Sequence, residues 1–193
     1  MNSCQWKGIP VFILIALVLL IVAGIIHIVG LATPYWHIEE LDRPDIIGSG
    51  YRNAHFGLWL QCISRTLTTF DCTSYEVIKG FLQASRAMEV LAILCGSVSV
   101  VVTGLVIFLK IQKFRTLLMI SAVASAFAGG LFGIIGVIVY GVTIDENTIH
   151  YINNLLYRST VSYSLALCAI SSSFCIVSSI LSGIGIRQMY QDN

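Results

Sequence analysis

Three observations predict an all-α membrane protein built as a four-helix transmembrane bundle. The first is composition: of 193 residues, 56% are hydrophobic and only 11% charged. A soluble domain carries about 25% charged residues, so this chain has too few to cover a water-facing surface. The second is patterning, because the apolar residues are gathered into long runs and the mean hydropathy is +0.86. The third is the placement of Lys and Arg near the ends of those runs. A net charge of +1 leaves no basic footprint for nucleic acid.

Four runs supply the ~20 helical residues needed to cross ~30 Å of hydrocarbon. They are residues 9–33, 87–109, 117–142 and 161–186. The first is longer than a signal-peptide core and lacks a clear small-residue cleavage site, so it reads as a retained span. Lys110, Lys113 and Arg115 crowd into the short 110–116 connection, Lys7 precedes the first span and Arg187 follows the fourth. The two longer connections mix acidic and basic residues: Glu39, Glu40, Asp42, Asp45, Asp71 and Glu76 in residues 34–86, Asp145 and Glu146 in residues 143–160. The positive-inside tendency therefore predicts that 1–8, 110–116 and 187–193 are cytoplasmic and that loops 34–86 and 143–160 are extracellular.

Lipid gives helices no hydrophobic reason to pair, so close packing must come from small side chains. The third span offers Ala122, Ala126, Gly129, Gly130, Gly133 and Gly136. The fourth offers Ser164, Cys168, Ser171, Ser172, Cys175, Ser178 and Ser179. Intramembrane serines most often bond a carbonyl one turn back. His27 lies inside the first span. Intramembrane ionisable groups are functional candidates, and a neutral imidazole bonded to a neighbouring helix is the plainer alternative. Glu89 follows Arg86 by three residues, which places an ion pair between them at the mouth of the second span. Cys4 is a candidate for acylation or an unused cytoplasmic thiol.

Of the cysteines, only Cys62 and Cys72 fall in a predicted extracellular loop, where oxidising conditions permit a bridge. Around them the chain is distinctive. Trp36 closes the run Gly30-Leu31-Ala32-Thr33-Pro34-Tyr35-Trp36, Gly57-Leu58-Trp59 precedes Cys62, and Leu82-Gln83-Ala84-Ser85-Arg86-Ala87-Met88 opens the second span. Alternation sends Leu58, Leu60 and Cys62 to one strand face, with Trp59, Gln61 and Ile63 on the other. Turn chemistry stands at Arg43-Pro44-Asp45 and Gly48-Ser49-Gly50.

This order of residues resembles the claudin signature, and the chain is identified as a divergent member of the wider claudin, peripheral myelin protein, epithelial membrane protein and channel gamma-subunit superfamily. The resemblance is close from Trp36 to about Met88 and rests elsewhere on hydropathy and span count. It implies a small extracellular antiparallel β-sheet standing on the bundle, with the Cys62–Cys72 bridge pinning two adjacent strands. It also implies that Trp36 and Trp59 anchor the sheet near the headgroups and that Arg86 bonds loop carbonyls where sheet meets helix. An aromatic belt would account for Trp36 alone nearly as well, but not for the cysteine spacing.

The resemblance further implies a plasma-membrane protein of cell–cell junctions that assembles through its extracellular loops. Partners would be copies of itself in cis and in trans, related four-span proteins and membrane lipid. The alternative is an auxiliary subunit of an ion channel or receptor. Ile46, Ile47, Tyr151, Ile152 and Leu155 are the candidate assembly contacts, since apolar residues on loop tips are natural docking points. Ile63 and Thr73 follow the two cysteines where some claudins carry charge, which favours a barrier over a strongly selective pore. The sequence ends Gln191-Asp192-Asn193, without the hydrophobic terminus that scaffold domains capture in many claudins. No hydrolase, metalloprotease or phosphate-loop motif is present. The sequence implies no catalytic residues, cofactor or metal; His37 and Glu40 lack the companions a metal site needs.

Overall fold

The computed structural model describes residues 10–41, 53–64, 70–108, 114–144, 149–152 and 155–191. Its elements run α1 (Val11–Ala32), β1 (His37–Leu41), β2 (Asn53–Phe56), β3 (Leu60–Ser64), β4 (Asp71–Ser74), α2 (Gly80–Phe108), α3 (Arg115–Thr143), β5 (Ile149–Ile152), β6 (Leu155–Val161) and α4 (Tyr163–Gln191). All four helices are long and apolar enough to cross a membrane. That outcome follows from solvent: in hydrocarbon an unpaired N–H or C=O finds no water, and a helix pairs both within itself.

α1 has 22 residues and the other three have 29 each. At 1.5 Å per residue the longer helices reach about 44 Å, well beyond the hydrocarbon. The excess on α2 is its first turns. The helix begins at Gly80, so Leu82 to Arg86 are already helical before the apolar run opens. There Leu82 joins a buried cluster with Trp36, Leu58, Tyr140, Leu165 and Cys168.

Helices α2 and α3, α3 and α4, and α4 and α1 pack along their lengths, whereas α1 and α2 meet only sparsely. The glycines and small residues lie where backbones approach. A Cβ on Gly30 would stand 2.8 Å from Cys168 Sγ and 2.9 Å from the Ser164 carbonyl. The serines divide into two groups. Ser171, Ser172, Ser173 and Ser179 bond carbonyls of their own helix, as expected. Ser99, Ser125 and Ser178 instead donate across to the carbonyls of Ala122, Cys95 and Ala16, at 2.7–2.8 Å. These crossing bonds tie α2 to α3 and α4 to α1.

The strands form one six-stranded sheet in the order β4-β3-β2-β1-β6-β5, every neighbour antiparallel. β1 is the hinge of the topology: His37 pairs with Phe56 on one side and Val161 on the other. The connection from β6 into α4 continues this pairing, with Ser162 N–H donating to the Trp36 carbonyl and Ser164 N–H to the Tyr35 carbonyl. One of the N–H groups that a helix start leaves unpaired is thereby satisfied by the sheet.

One strand reading is corrected. Leu58 and Trp59 lie in the bend before β3, which starts at Leu60. Leu58 is fully buried while Leu60 is 40% exposed, so the two do not share a face. The bend is held by Gly57 N–H donating to the Leu60 carbonyl, and Gly57 is pressed against the chain leaving α1. A Cβ there would sit 2.5 Å from Pro34 Cα and 3.0 Å from the Thr33 carbonyl oxygen. Both neighbours are backbone and cannot rotate away. Gly57→Ala should therefore destabilise the folded protein by about 1–3 kcal/mol, the usual cost of overpacking. A clear fall in the thermal unfolding midpoint of detergent-solubilised protein is the expected reading.

Candidate functional site: the clipped sheet and its seat on the bundle

Cys62 of β3 and Cys72 of β4 stand directly opposite each other and are disulfide-bonded. Their ten-residue separation makes a short closed loop. Locking it removes unfolded-state freedom worth about 2–3 kcal/mol in the chain-entropy account. The clip matters because β4 is an edge strand whose four residues are all exposed, so packing alone holds it poorly.

The sheet is seated by aromatic and cationic side chains. Trp36 is 0% exposed. Its indole N–H donates to the Gly30 carbonyl at 3.0 Å, and its ring meets Tyr140 edge-on at 4.8 Å. Where the resemblance implies an anchor near the headgroups, Trp36 is a buried core residue of the joint between α1, α3 and the sheet. Tyr140 reaches up from α3, its hydroxyl 2.9 Å from His37 Nδ1, and His37 stacks on Phe56 at 4.5 Å.

Arg86 forms the second attachment. Its Nε donates to the Leu58 carbonyl at 2.7 Å, and its guanidinium lies over the rings of Trp59 at 5.1 Å and Tyr75 at 5.6 Å. Trp59 keeps 40% of its surface exposed. The Tyr75 hydroxyl donates to the Gly57 carbonyl at 2.8 Å. Gly57, Leu58, Trp59 and Arg86 thus form one unit in which a helix-borne cation satisfies a carbonyl of the bend. Burial pushes the Tyr75 phenol up to about 12, with Arg86 opposing the shift. On the outer strands, burial pulls the His55 imidazole below its ordinary value, opposed by Glu40; its ring lies between Tyr35 and Phe70.

One pairing expected from sequence is replaced. Arg86 does not turn to Glu89. Glu89 is fully buried and faces His27 of α1, with Oε2 2.9 Å from Nε2. A three-residue offset on a helix permits the Arg86 contact, but the two side chains diverge, one toward the sheet and one into the bundle. His37 and Glu40 fall on opposite faces of β1 and cannot share an ion. Of the candidate assembly contacts, Ile46 and Ile47 lie outside the described residues. Tyr151 and Ile152 lie in β5 and Leu155 in β6, paired backbone to backbone, with Ile152 opposite Leu155. Tyr75 and Tyr140 went unnoticed in the sequence. The available signal was that a tyrosine near a span end must find a partner for its hydroxyl.

Four membrane-spanning helices carrying one disulfide-clipped antiparallel sheet define a multi-pass membrane protein of the claudin type. The family model described as PMP-22/EMP/MP20/Claudin matches residues 10–182. The chain belongs to that family. No curated protein matches it significantly.

Two outcomes follow from the seat. Arg86→Lys keeps the charge but loses the planar group that bonds Leu58 and covers two rings; a loss of about 1.5–3 kcal/mol is expected, the range for a hydrogen bond to a charged group, measured by thermal unfolding. Tyr75 gives a pH signature. Its proton is held more tightly folded than unfolded, so its contribution is complete below pH 10 and is lost as pH rises from about 10 to about 12. Tyr75→Phe should weaken the protein at neutral pH and flatten its alkaline loss of stability across that window.

Proposed function

We propose that this chain is a claudin-like cell–cell junction protein of the plasma membrane that self-assembles through its sheet-bearing end into a paracellular barrier. The observation that carries this reading is the rigid sheet itself. Six strands, a covalent clip at the edge and a buried Trp36–Tyr140 joint make a preorganised surface. Preorganisation lowers the entropy lost when copies associate.

Orientation follows from charge. α2 ends at Phe108 and α3 begins at Arg115, the helix ends remote from the strands, and the sequence there holds Lys110 and Lys113 beside Arg115. Basic connections stay cytoplasmic, so both chain ends lie inside and the sheet outside, where its disulfide is stable. The rim of the sheet offers apolar surface. Val77, just before α2, is 81% exposed, with Phe70 and Ile78 also exposed. Copies in one membrane meet side by side through this rim, and copies on apposed membranes meet through Ile46, Ile47 and the β5–β6 hairpin with Tyr151, Ile152 and Leu155. The uncharged Ile63 and Thr73 beside the clip give a passage little electrostatic selectivity, which supports a barrier. The role is structural and non-enzymatic.

Expression in non-adherent cells tests the proposal. Continuous intramembrane strands by freeze-fracture, cell clustering and a raised transepithelial resistance in epithelial lines are expected. Replacing Ile46, Ile47 and Tyr151 by Ser should abolish clustering at unchanged surface expression. An absence of strands, together with stoichiometric co-purification of a pore-forming channel or receptor and altered gating, would overturn it in favour of an auxiliary subunit.

A further inference from the structure

Glu89 poses a chemical problem inside the bundle. Its carboxylate is 0% exposed, and no hydroxyl or backbone N–H among the described residues bonds either oxygen. An isolated buried carboxylate is among the costliest groups a protein can hold. Facing it is His27 Nε2, 2.9 Å from Oε2, which has no other partner among the described residues.

The tautomer of His27 follows from its other nitrogen. Ser171 has one hydroxyl proton, which it donates to the Cys168 carbonyl at 2.9 Å. With that proton on the carbonyl, its 2.8 Å contact with His27 Nδ1 has Nδ1–H donating, the tautomer that leaves Nε2 free to bind a ligand. A neutral ring then presents a bare lone pair at Nε2 to the carboxylate. Two electron-rich atoms in contact need something positive between them. A third donor faces the same point: Cys168 of α4 is fully buried, and its Sγ, the His27 nitrogen and a Glu89 oxygen all lie within 4.8 Å of one another. Glycines make the room. A Cβ on Gly136 would stand 2.6 Å from Glu89 Oε1, and one on Gly30 would stand 2.8 Å from Cys168 Sγ.

We propose that His27 Nε2, the Glu89 carboxylate and Cys168 Sγ bind a divalent transition-metal ion of the zinc class inside the bundle. One nitrogen, one oxygen and one sulfur suit a borderline cation; calcium and magnesium prefer all-oxygen shells. Tetrahedral bonds of about 2.0–2.3 Å place such donors between three and four ångströms apart, within the span the three atoms allow. Coordination breaks the Cys168 S–H bond, forms an S–metal bond and releases the proton to solvent. The thiolate and carboxylate then neutralise the divalent ion, as a low-dielectric interior demands. Ser171 fixes the imidazole from behind, as outer-shell groups do in metal sites. A cleft of about 380 Å³ between α1 and α2 reaches His27; its other walls are mostly apolar, Ile21, Ile25 and Val101 among them. The ion would join α1, α2 and α4, and so fasten the α1–α2 seam where direct packing is sparsest.

The test uses full-length protein purified in detergent, freed of any affinity tag, stripped with chelator and reloaded with zinc or cobalt. One tightly held ion per chain is expected. X-ray absorption should show a single sulfur neighbour among nitrogen and oxygen ligands, and the cobalt form should show thiolate charge-transfer absorption. Cys168→Ser should remove that absorption, Cys175→Ser should leave it, and His27→Gln and Glu89→Gln should each lower affinity tenfold or more. Wild-type protein that loads no ion, or loads one without a sulfur neighbour, overturns the proposal whether or not the variants fold. So does an affinity unchanged in all three ligand variants. In either case the cluster is a His27–Glu89 pair sharing a proton.

Discussion

A tryptophan side chain at the end of the first helix decides how the water-facing part of this molecule stands on its lipid-embedded part. Trp36 ends a run that has just left the bundle, and it brings a large apolar surface with one N–H that cannot be left unpaired. Both needs are met in the same place, the ring against Tyr140 and the N–H on the Gly30 carbonyl. With Trp36 fixed, its backbone N–H and C=O bond Phe56 and Ser162, and the middle of the sheet is aligned. The remaining strands add outward from there, and the least protected of them is held covalently.

The helices were legible because their cause is local and repeated: apolar runs long enough for a bilayer leave the backbone no alternative to helix. The clip was legible because only two cysteines fell in a loop reached by an oxidising compartment. Alternation failed at Leu58 and Trp59 because Gly57 must approach Pro34, and the bend this requires breaks the period of two before β3 begins. Trp36 was misplaced because a tryptophan at a span end reads equally as a headgroup anchor or a core residue, and only Tyr140, about a hundred residues on, distinguishes them. Glu89 was misassigned for a related reason. The nearest cation in sequence is Arg86, but Arg86 has carbonyl and aromatic partners at the sheet, and the partner of Glu89 belongs to another helix.

The bundle interior shows what replaces the hydrophobic effect where the solvent is itself apolar. Small residues let backbones approach, and serine hydroxyls then reach carbonyls of the next helix, as Ser99, Ser125 and Ser178 do. Model systems credit each such bond with about 0.6–2 kcal/mol in a membrane, so their number and spread matter more than any one of them. They fasten α2 to α3 and α4 to α1, and none of them spans α1 to α2. The seam that packing neglects is the one the His27–Glu89 contact crosses.

Gly30 joins these two systems. Its carbonyl receives the Trp36 indole, and the space its missing side chain leaves is filled by Cys168. One turn earlier on the same helix stands His27; at the next step toward the sheet, Thr33 bonds Ser164 at 2.7 Å. A single stretch of α1 therefore sets both the height of the sheet above the bundle and the approach of α1 to α4 and Glu89. Any side chain larger than hydrogen at position 30 would push α1 from α4 and move the carbonyl on which Trp36 rests. The seat of the sheet and the buried polar cluster share that one turn of α1, so a change in either reaches the other through backbone geometry.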